Sequence, residues 1–361
     1  MKIERGLLGS PLCTHLPQRS EAARQQRRRL LIALGAGTLT GGLAGEFSGG
    51  RAAHAQGSAP PARIGWIAPT NPAASATRHA AFKQGMLDNG LIEGTHYVLD
   101  VVYAEGHYER FPALAKELLQ RGPVVIVSPI AAAIRAAQQV TPTLPIVMIS
   151  ISDPVGTGLV ASLARPGGNT TGLSNQSDDT TAKFVEFVRE ALPRAKRIAL
   201  LVNPGNSSHA KLGEQVRVAA LQFGIETRAF EAATPAALDA AFAAIARERP
   251  DALVMLRDAI LLAEPQPQRI SAFALKNRIA AFGPDAVYAD AGSLLSYGPS
   301  NLDMFRRSAT YVKKILAGTK PADLPFEQPT KFDMVLNLKT AKALNIKMPQ
   351  ALLIQAGRVI E

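Results

Sequence analysis

Loops rich in Ser, Asn, Asp and Pro follow the predicted strands, and they carry the side chains that could do chemistry. Three carboxylates, Asp153, Asp258 and Asp285, could pair with an ammonium group, and Arg257 could pair with a carboxylate. Several of these loops open a predicted helix, whose free backbone N–H groups can hold an anion. For any single Ser, Asn or Asp here, an ordinary helix N-cap is the favoured interpretation. The candidate contact residues are Asn71, Ser75, Ser128, Ile130, Ala131, Ser150, Asp153, Asn203, Asn206, Arg257, Asp258, Asp285 and Tyr288.

Signatures of catalysis and of metal binding are absent from the sequence. The histidines are scattered, and no H-x-x-x-H or H-x-x-E spacing predicts a metal site. Neither a G-x-S-x-G nucleophile elbow nor a Walker loop occurs, and no G-x-G-x-x-G follows a predicted strand. We therefore expect no catalytic residue, no metal and no cofactor, and the sequence favours binding over turnover.

Short apolar runs alternate with helical stretches along the chain, which is typical of parallel sheets covered by helices on both faces. In such sheets, ligands bind beyond the carboxyl ends of the strands, which is where the loops described above lie. Strands are predicted at residues 64–68, 97–103, 124–127, 146–149, 198–202, 226–230, 252–256, 279–282, 294–297 and 335–338. Helices are predicted at residues 75–89, 107–120, 131–140, 180–192, 207–223, 235–247, 266–276, 302–317 and 339–344.

The strand and helix pattern restarts after a Gly- and Asn-rich stretch around Gly167-Gly168. The length of 361 residues also suits roughly two domains of about 150 residues. We predict an α/β fold with two doubly wound parallel-sheet lobes and a hinge, at residues 63–175 and 176–300. Residues 301–361 are predicted to form a C-terminal helix, a crossover strand and a tail that pack across the lobes. The hinge is expected near Gly167-Gly168 and near Leu294.

The N-terminal segment is typical of an export signal. Residues 27–29 are three arginines, an apolar stretch begins at residue 30, and Ala53 and Ala55 are the small residues before the expected cleavage site. We predict a signal peptide over residues 1–55 and a flexible tether over 56–62. The twin-arginine and the Sec routes are both open. The apolar stretch is too short and too glycine-rich for a membrane span.

The cysteine content and the charge of the chain exclude some classes of function. Cys13 lies in the leader and is the sole cysteine, so the mature chain would have no disulfide and no thiolate chemistry. The formal net charge is +11. A solvated basic surface is favoured over attraction of an acidic partner. We expect no nucleic-acid partner, because basic residues beyond the leader form no stripe with interleaved aromatics.

Several segments together resemble the ABC transporter substrate-binding proteins of the tryptophan/tyrosine type. The resemblance covers about residues 63–361. The matching segments are Phe82-Lys83-Gln84-Gly85, Asp153-Pro154-Val155, Gly158-Leu159-Val160, residues 165–172 (RPGGNTTG), Leu201-Val202-Asn203-Pro204, Ser296-Tyr297-Gly298-Pro299, residues 320–325 (KPADLP) and residues 337–344 (NLKTAKAL).

The resemblance implies a periplasmic binding protein fold of type I. It further implies a periplasmic receptor that closes on a small organic ligand, such as an amino acid, and docks on an ABC permease in the inner membrane. We also expect the protein to be a monomer. Carried over by position, the contact candidates are Ser128, Ile130, Ala131, Asp153, Asn203, Asn206 and Asp258. Two alternatives remain open: a periplasmic sensor for a membrane receptor, and a two-lobed hydrolase or isomerase. A sugar-responsive repressor would need a helix-turn-helix where the leader stands.

Overall fold

Two sheets with helices on both faces organise residues 60–361, which are the residues that the computed structural model describes. The predicted signal peptide and residues 56–59 of the predicted tether lie outside the described residues. The first sheet has five parallel strands in the order β2-β1-β3-β4-β5. These strands are β1 Ala62–Ala68, β2 Tyr97–Tyr103, β3 Val125–Ser128, β4 Ile146–Ile151 and β5 Thr170–Ser174.

The second sheet has seven strands in the order β12-β11-β10-β9-β8-β6-β7. Its strand β11 runs antiparallel to β10, and the other pairs are parallel. The strands are β6 Arg197–Val202, β7 Glu226–Glu231, β8 Ala252–Met255, β9 Ala280–Gly283, β10 Leu295–Gly298, β11 Asp333–Asn337 and β12 Arg358–Ile360.

Helices connect the strands and cover both faces of each sheet. They are α1 Pro72–Asp88, α2 Phe111–Gln120, α3 Ala131–Val140, α4 Ser177–Thr180, α5 Lys183–Ala191, α6 His209–Leu221, α7 Ala237–Glu248, α8 Gln266–Lys276, α9 Ala286–Asp290, α10 Asn301–Leu316, α11 Leu338–Leu344 and α12 Gln350–Gln355, with 3-10 turns at Tyr108–Arg110 and Pro321–Asp323. Within residues 60–361, every helix is too short or too polar to cross a bilayer.

Strand β1 shows why the sheet is covered on both faces. Ile64, Trp66 and Ala68 pack in one buried apolar cluster, and Ile67 packs in the cluster on the opposite face. Successive side chains of a strand point to opposite faces, so a strand that is apolar at consecutive positions needs cover on both sides. The structure thus confirms the predicted α/β fold with two doubly wound lobes.

Helix α10 follows a strand of the second sheet but packs on the first. Its Phe305 ring stacks against Trp66 at 6.0 Å between centroids. Near Gly85, helix α1 approaches α10 so closely that an added Cβ would overlap the carbonyl group of Arg306. The backbone therefore crosses from one sheet to the other three times. The first crossing follows β5, and the second lies between β10 and α10. The third lies between Glu327, which forms a β-bridge with Leu173 of the first sheet, and β11 of the second.

Five elements were missed from the sequence: β5, β12 and the short helices α4, α9 and α12. Strand β5 follows Gly167-Gly168 and pairs with β4 in the first sheet. The expected hinge at these glycines is therefore wrong, because they lie in a loop inside the first lobe. The domain boundaries at residues 175 and 300, and the division of residues 301–361, stay predictions.

Candidate functional site

A cleft lies between the two sheets, where the carboxyl ends of their parallel strands face each other. The cavity between its walls has a volume of about 40 Å³. Loops after β3 and β4 line it from the first lobe, and loops after β6 and β8 line it from the second. This is the position at which open α/β sheets bind ligands.

The carboxylate of Asp258 forms the polar centre of the second-lobe wall. It is 2% exposed and accepts hydrogen bonds from the side-chain amides of Asn203 (3.2 Å) and Asn206 (3.1 Å). The backbone N–H groups of Ile260 (2.9 Å) and Leu261 (3.4 Å) also donate to it. A buried carboxylate is stable when several donors compensate its charge, so Asp258 organises this wall of the cleft.

The hydroxyl of Tyr108 reaches Asp258 from the first lobe at 3.5 Å. Gly205 allows this approach, because a Cβ there would lie 2.8 Å from the Tyr108 ring. Burial raises the pKa of Tyr108, and the negative charge of Asp258 raises it further, so the phenol stays protonated as a donor. Tyr108 was not among the predicted contacts, because the sequence predicted it inside a helix at residues 107–120, whereas it lies in the 3-10 turn Tyr108–Arg110 that follows β2.

His209 is held as a neutral ring behind the cleft. Its Nδ1 accepts from the backbone N–H of Asn203 at 2.8 Å, and its Nε2 lies 3.0 Å from the carbonyl oxygen of Arg257, to which it must then donate. Burial lowers the pKa of His209 more than nearby Asp258 raises it. Both ring nitrogens are therefore engaged in structure, and neither is available as a general base.

Arg257 lines the cleft but is largely committed to its own lobe. Its Nη2 donates to the carbonyl oxygens of Pro284 and of Pro299, the latter at 3.0 Å. Its Nη1 lies 3.6 Å from the Asp285 carboxylate and has no hydrogen-bond partner among the described residues. Burial lowers the pKa of this guanidinium, and Asp285 opposes that effect. Arg257 therefore fixes the loops after β9 and β10 through Nη2 and has its Nη1 group left to donate.

The first-lobe wall has hydrogen-bonding groups that are free to meet a ligand. The Ser150 hydroxyl is buried without a partner among the described residues, and its backbone has a φ of 56°. Helix α3 begins at the cleft after Ile130, which gives no side-chain cap to the first N–H groups of the helix. Free N–H groups at a helix start and an unpaired hydroxyl favour an acceptor group of a ligand.

Arg78 of α1 is a cleft residue that the sequence reasoning missed. It lines the cavity and is 8% exposed. Within residues 60–361 its guanidinium makes one hydrogen bond, from Nη2 to the carbonyl oxygen of Ala259 in the other lobe, at 3.4 Å. Burial lowers its pKa, and the carboxylates of Asp285 and Asp258 partly offset the shift. Its position inside a helix gave no signal, because the strand-end rule considers only loops.

Two further contacts join the lobes near the cleft. Lys211 of α6 forms an ion pair with Asp153 at 2.6 Å, and the Ser208 hydroxyl donates to the Ser152 carbonyl oxygen at 3.4 Å. Together with Tyr108 and Arg78, these residues hold the lobes against each other. The structure is therefore a closed arrangement of the two lobes.

Six of the predicted contact residues line the cavity. They are Ile130, Ala131, Ser150, Asn206, Arg257 and Asp258. Their roles as ligand contacts stay predictions. The cavity wall also includes residues that the sequence reasoning did not select: Arg78, Tyr108, Ser152, Asn175, Ser208, Asn301 and Phe305.

Seven predicted residues do not line this cavity, and five of them have structural tasks in loops and caps. Asn71 caps α1, accepting from the Ala74 N–H at 2.9 Å, and Asp285 caps α9 through the Val287 N–H at 3.2 Å. Ser75 bonds Thr70 at 2.8 Å, and Ser128 donates to the Ile67 carbonyl at 2.9 Å. The Asn203 side-chain amide donates a hydrogen bond to the Asp258 carboxylate, and its oxygen accepts from the Gly205 N–H at 2.9 Å.

Asp153 and Tyr288 are the other two. The Asp153 carboxylate is taken up by Lys211 and by the Gly156 N–H at 2.7 Å. Tyr288 is fully buried, and its hydroxyl donates to the Leu261 carbonyl oxygen at 2.9 Å. Tyr288 was expected at a strand end, but it lies on α9, which turns its ring into the core of the second lobe.

Metal ligands do not cluster at this site or elsewhere in the described part of the chain. Among the side chains that the structure describes, no three or more of His, Cys, Asp or Glu come together so that they could hold an ion.

Comparison with known families decides what kind of protein carries this cleft. The family model described as "ABC transporter substrate binding protein" matches residues 67–360. This chain belongs to that family. The match begins in β1 and ends in β12, so it spans both sheets of the substrate-binding protein.

Two relatives show how the substrate-binding protein compares in sequence and in fold. The tyrosine-binding protein of Clostridioides difficile (strain R20291) is 22% identical over 271 residues, covering 74% of this chain and 76% of that protein. A conserved domain protein of Vibrio cholerae, solved by crystallography, has 29% identity and a TM-score of 0.75, covering 82% of this chain and 99% of its own. The lobes thus superimpose on those of a solved relative along nearly its full length.

A third structure was solved with a ligand bound. It is the ABC domain in complex with L-Trp from Streptococcus pneumoniae, with 22% identity, a TM-score of 0.74, and coverage of 83% of this chain and 100% of that one. At this identity the likeness shows the fold alone. The fold of the substrate-binding protein is thus that of the type I periplasmic binding proteins.

Proposed function

We propose that this protein is the extracytoplasmic solute receptor of an ABC importer, and that it binds a small organic ligand, such as an amino acid, between its lobes. The observation that carries the proposal is the cleft itself. Both lobes present polar groups at the carboxyl ends of their strands: Tyr108 and Ser150 from the first, and Asn206 and Asp258 from the second. A ligand between them would contact both walls at once.

Binding and closure are coupled in this proposal. A ligand that contacts both walls binds the closed arrangement more tightly than an open one, and it shifts the population toward closure by that difference in affinity. The contacts between Lys211 and Asp153 and between Tyr108 and Asp258 form only when the lobes meet. The closed shape is then the form that a permease in the membrane would recognise.

The ligand is proposed to leave the site unaltered. His209 has both ring nitrogens engaged, and Asp258 accepts five hydrogen bonds, so neither is poised to move a proton. A tyrosine-binding relative and a tryptophan-bound structure support an amino acid as the ligand. We further propose that the protein is exported to the periplasm and acts as a monomer.

Mass spectrometry of solute released from the purified protein tests this function. The protein is produced with its leader, recovered from the periplasm and denatured, and the released small molecules are identified. A single amino acid or similar solute, recovered in about equimolar amount and able to raise the melting temperature when added back, is the expected result. Recovery of a chemically converted product, or of no solute together with no stabilisation by any amino acid, would contradict the proposal.

A further inference from the structure

The guanidinium of Arg78 is a buried cation that forms no ion pair with a described residue. It is 8% exposed, and within the described residues its single hydrogen bond is the long one to the Ala259 carbonyl, at 3.4 Å. It borders the cavity between the lobes and also a neighbouring cavity near Thr77 and Leu302. A guanidinium has five N–H donors, so most of the donors of Arg78 have no acceptor among the groups that the structure describes.

The two nearest carboxylates are occupied by other donors. Asp258 accepts from two side-chain amides, two backbone N–H groups and the Tyr108 hydroxyl. Asp285 accepts from the backbone N–H groups of Val287 (3.2 Å) and Asn301 (2.9 Å) and lies 3.6 Å from Arg257. No carboxylate of the described chain forms an ion pair with Arg78. A buried charge without a partner is unfavourable, and a ligand that supplies the partner gains the corresponding free energy.

Apolar and aromatic side chains make up part of the cavity wall beside Arg78, together with the polar residues described above. Phe305 of α10, Leu262 and Ile130 line the same cavity, and Tyr108 closes it opposite Gly205. A ligand for this space therefore combines one anionic group with a compact apolar body. A planar carboxylate suits the fork of the guanidinium better than a hydroxyl does, because two parallel hydrogen bonds can form.

We propose that Arg78 binds a carboxylate of the solute, which makes this protein a receptor for small carboxylates with an apolar body. The inference rests on the proposed function, since it names the solute class of the same cleft. It assigns substrate selection to a residue of helix α1, in addition to the loops at the strand ends. A neutral polyol of similar size would leave Arg78 without its anion and is expected to bind poorly.

Paired probes that differ only in the carboxylate test this inference. Wild-type protein, freed of bound solute by unfolding and refolding, is screened by thermal shift against L-tryptophan and tryptamine, L-tyrosine and tyramine, benzoate and benzamide, and succinate and succinamide. myo-Inositol serves as the neutral polyol. The best carboxylate is then titrated by calorimetry into the wild type and into the R78Q, R78K and R247Q variants. Arg247 is an exposed residue of α7 outside the cleft and serves as the matched control.

The expected result is selective. At least one carboxylate stabilises the wild type and its neutral counterpart does not. The R78Q variant binds that carboxylate about 10- to 100-fold more weakly, R78K recovers part of the loss, and R247Q binds like the wild type. Comparable melting temperatures of R78Q and wild type without ligand establish that the loss concerns binding.

Three outcomes would overturn the inference: an uncharged counterpart that binds as tightly as the carboxylate, a full-affinity R78Q variant, or stabilisation by myo-inositol alone. Each of these leaves the proposed receptor function standing, because a solute is still bound. If no compound stabilises the wild type and no solute is released from it, the receptor function fails, and the assignment of Arg78 fails with it.

Discussion

The Nζ of Lys211 lies 2.6 Å from the Oδ2 of Asp153, and this ion pair joins the second lobe to the first. Asp153 sits in the left-handed region with a φ of 40°, and its other oxygen accepts from the Gly156 N–H at 2.7 Å. Partial burial acts to raise the pKa of Asp153, but the hydrogen bonds from Lys211 and Gly156 lower it below its ordinary value. The pair is therefore ionised at neutral pH and belongs to the closed arrangement.

Replacing Asp153 with Asn should favour the open arrangement. Asparagine tolerates the left-handed backbone and keeps an acceptor for Gly156, so the change removes chiefly the charge that faces Lys211. A partly exposed ion pair contributes about 0.2–1 kcal/mol, so we expect ligand affinity to fall by about 1.5- to 5-fold. Calorimetry measures the affinity, and small-angle scattering of the ligand-free protein measures the shift toward an open shape.

The matched control for this prediction is Glu214→Gln. Glu214 forms an ion pair with Arg217 at 2.6 Å on the same helix, α6, within one lobe. Its loss should leave both affinity and shape unchanged. The difference between wild type and Asp153→Asn should also shrink at high salt, because salt screens the pair. Equal affinities and equal scattering curves for all three proteins at low salt would show that the ion pair does not bias closure.

Replacing Asn203 with Ala should destabilise the fold. The Asn203 side chain is 1% exposed, donates to Asp258 at 3.2 Å and accepts from the Gly205 N–H at 2.9 Å. Its removal leaves a buried N–H group without a partner and weakens the compensation of the Asp258 charge. We expect the free energy of unfolding to fall by about 1–3 kcal/mol, as measured by urea denaturation.

Ser207→Ala in the same loop is the control, because the Ser207 side chain is exposed. That variant should unfold like the wild type to within about 0.5 kcal/mol. A stable Asn203→Ala protein with unchanged unfolding would mean that the loop does not depend on the Asn203 amide group for its structure.

The stability of the fold should decrease as the pH falls from about 7 toward 4. Burial, Lys83 and Arg78 lower the pKa of His79 to about 4, and burial lowers that of His209. The unfolded chain protonates its histidines near pH 6.5, so between these values it binds protons that the folded chain does not. The free energy of unfolding therefore decreases as the pH drops through this range. Above about pH 7, the contribution of His79 and His209 to the free energy of unfolding is constant.

His79→Phe isolates one part of this effect. The His79 ring packs edge-on against Trp66 at 4.8 Å, and its Nε2 is buried without a partner among residues 60–361, so phenylalanine suits the site. The slope of unfolding free energy against pH should be shallower in this variant between pH 4 and 6.5. His96→Asn is the control, because an exposed His96 accepts from the Ile92 N–H and asparagine keeps an acceptor. Identical slopes in His79→Phe and wild type would rule out His79 as the cause.

The sequence pattern predicted the fold well because short, continuous apolar runs alternate regularly with helical stretches. Each run of three or more apolar residues that the sequence analysis selected is a strand, as at Ile146–Ile151. Strand β5 was missed because its sequence, TTGLS, is short, polar at its start and contains Gly172. Its place in the sheet depends on pairing with β4, which is tertiary context that a local pattern does not carry.

The candidate site was predicted only in part, and the physical reason differs between residues. The strand-end rule correctly selected the loops, so Asn206 and Asp258 were found. The rule could not distinguish a helix cap from a cleft residue. Asn71 and Asp285 are an Asn and an Asp in loops before a helix, as Asn206 and Asp258 are, but they cap their helices. The strand-end rule could not select Arg78, because Arg78 lies on a helix. Its place in the cleft depends on how the second lobe packs against the side of α1.

Glycines inside two helices should respond in opposite directions to replacement by alanine. Gly85 of α1 faces α10 so closely that an added Cβ would overlap the Arg306 carbonyl group, whereas a Cβ on Gly213 of α6 would meet open space. Alanine favours the helix over glycine by about 0.5–1 kcal/mol when nothing is in the way. Gly213→Ala should therefore raise the free energy of unfolding by that amount.

Gly85→Ala should instead lower the free energy of unfolding by about 1–3 kcal/mol, because α1 and α10 must move apart on the first sheet. Urea denaturation of the two variants beside the wild type measures both changes, and each variant serves as the control for the other. The separation of α1 from α10 would also disturb the stacking of Phe305 on Trp66, so the tryptophan fluorescence of Gly85→Ala should change while that of Gly213→Ala should not. A Gly85→Ala protein as stable as Gly213→Ala would show that the two helices do not pack as closely as described.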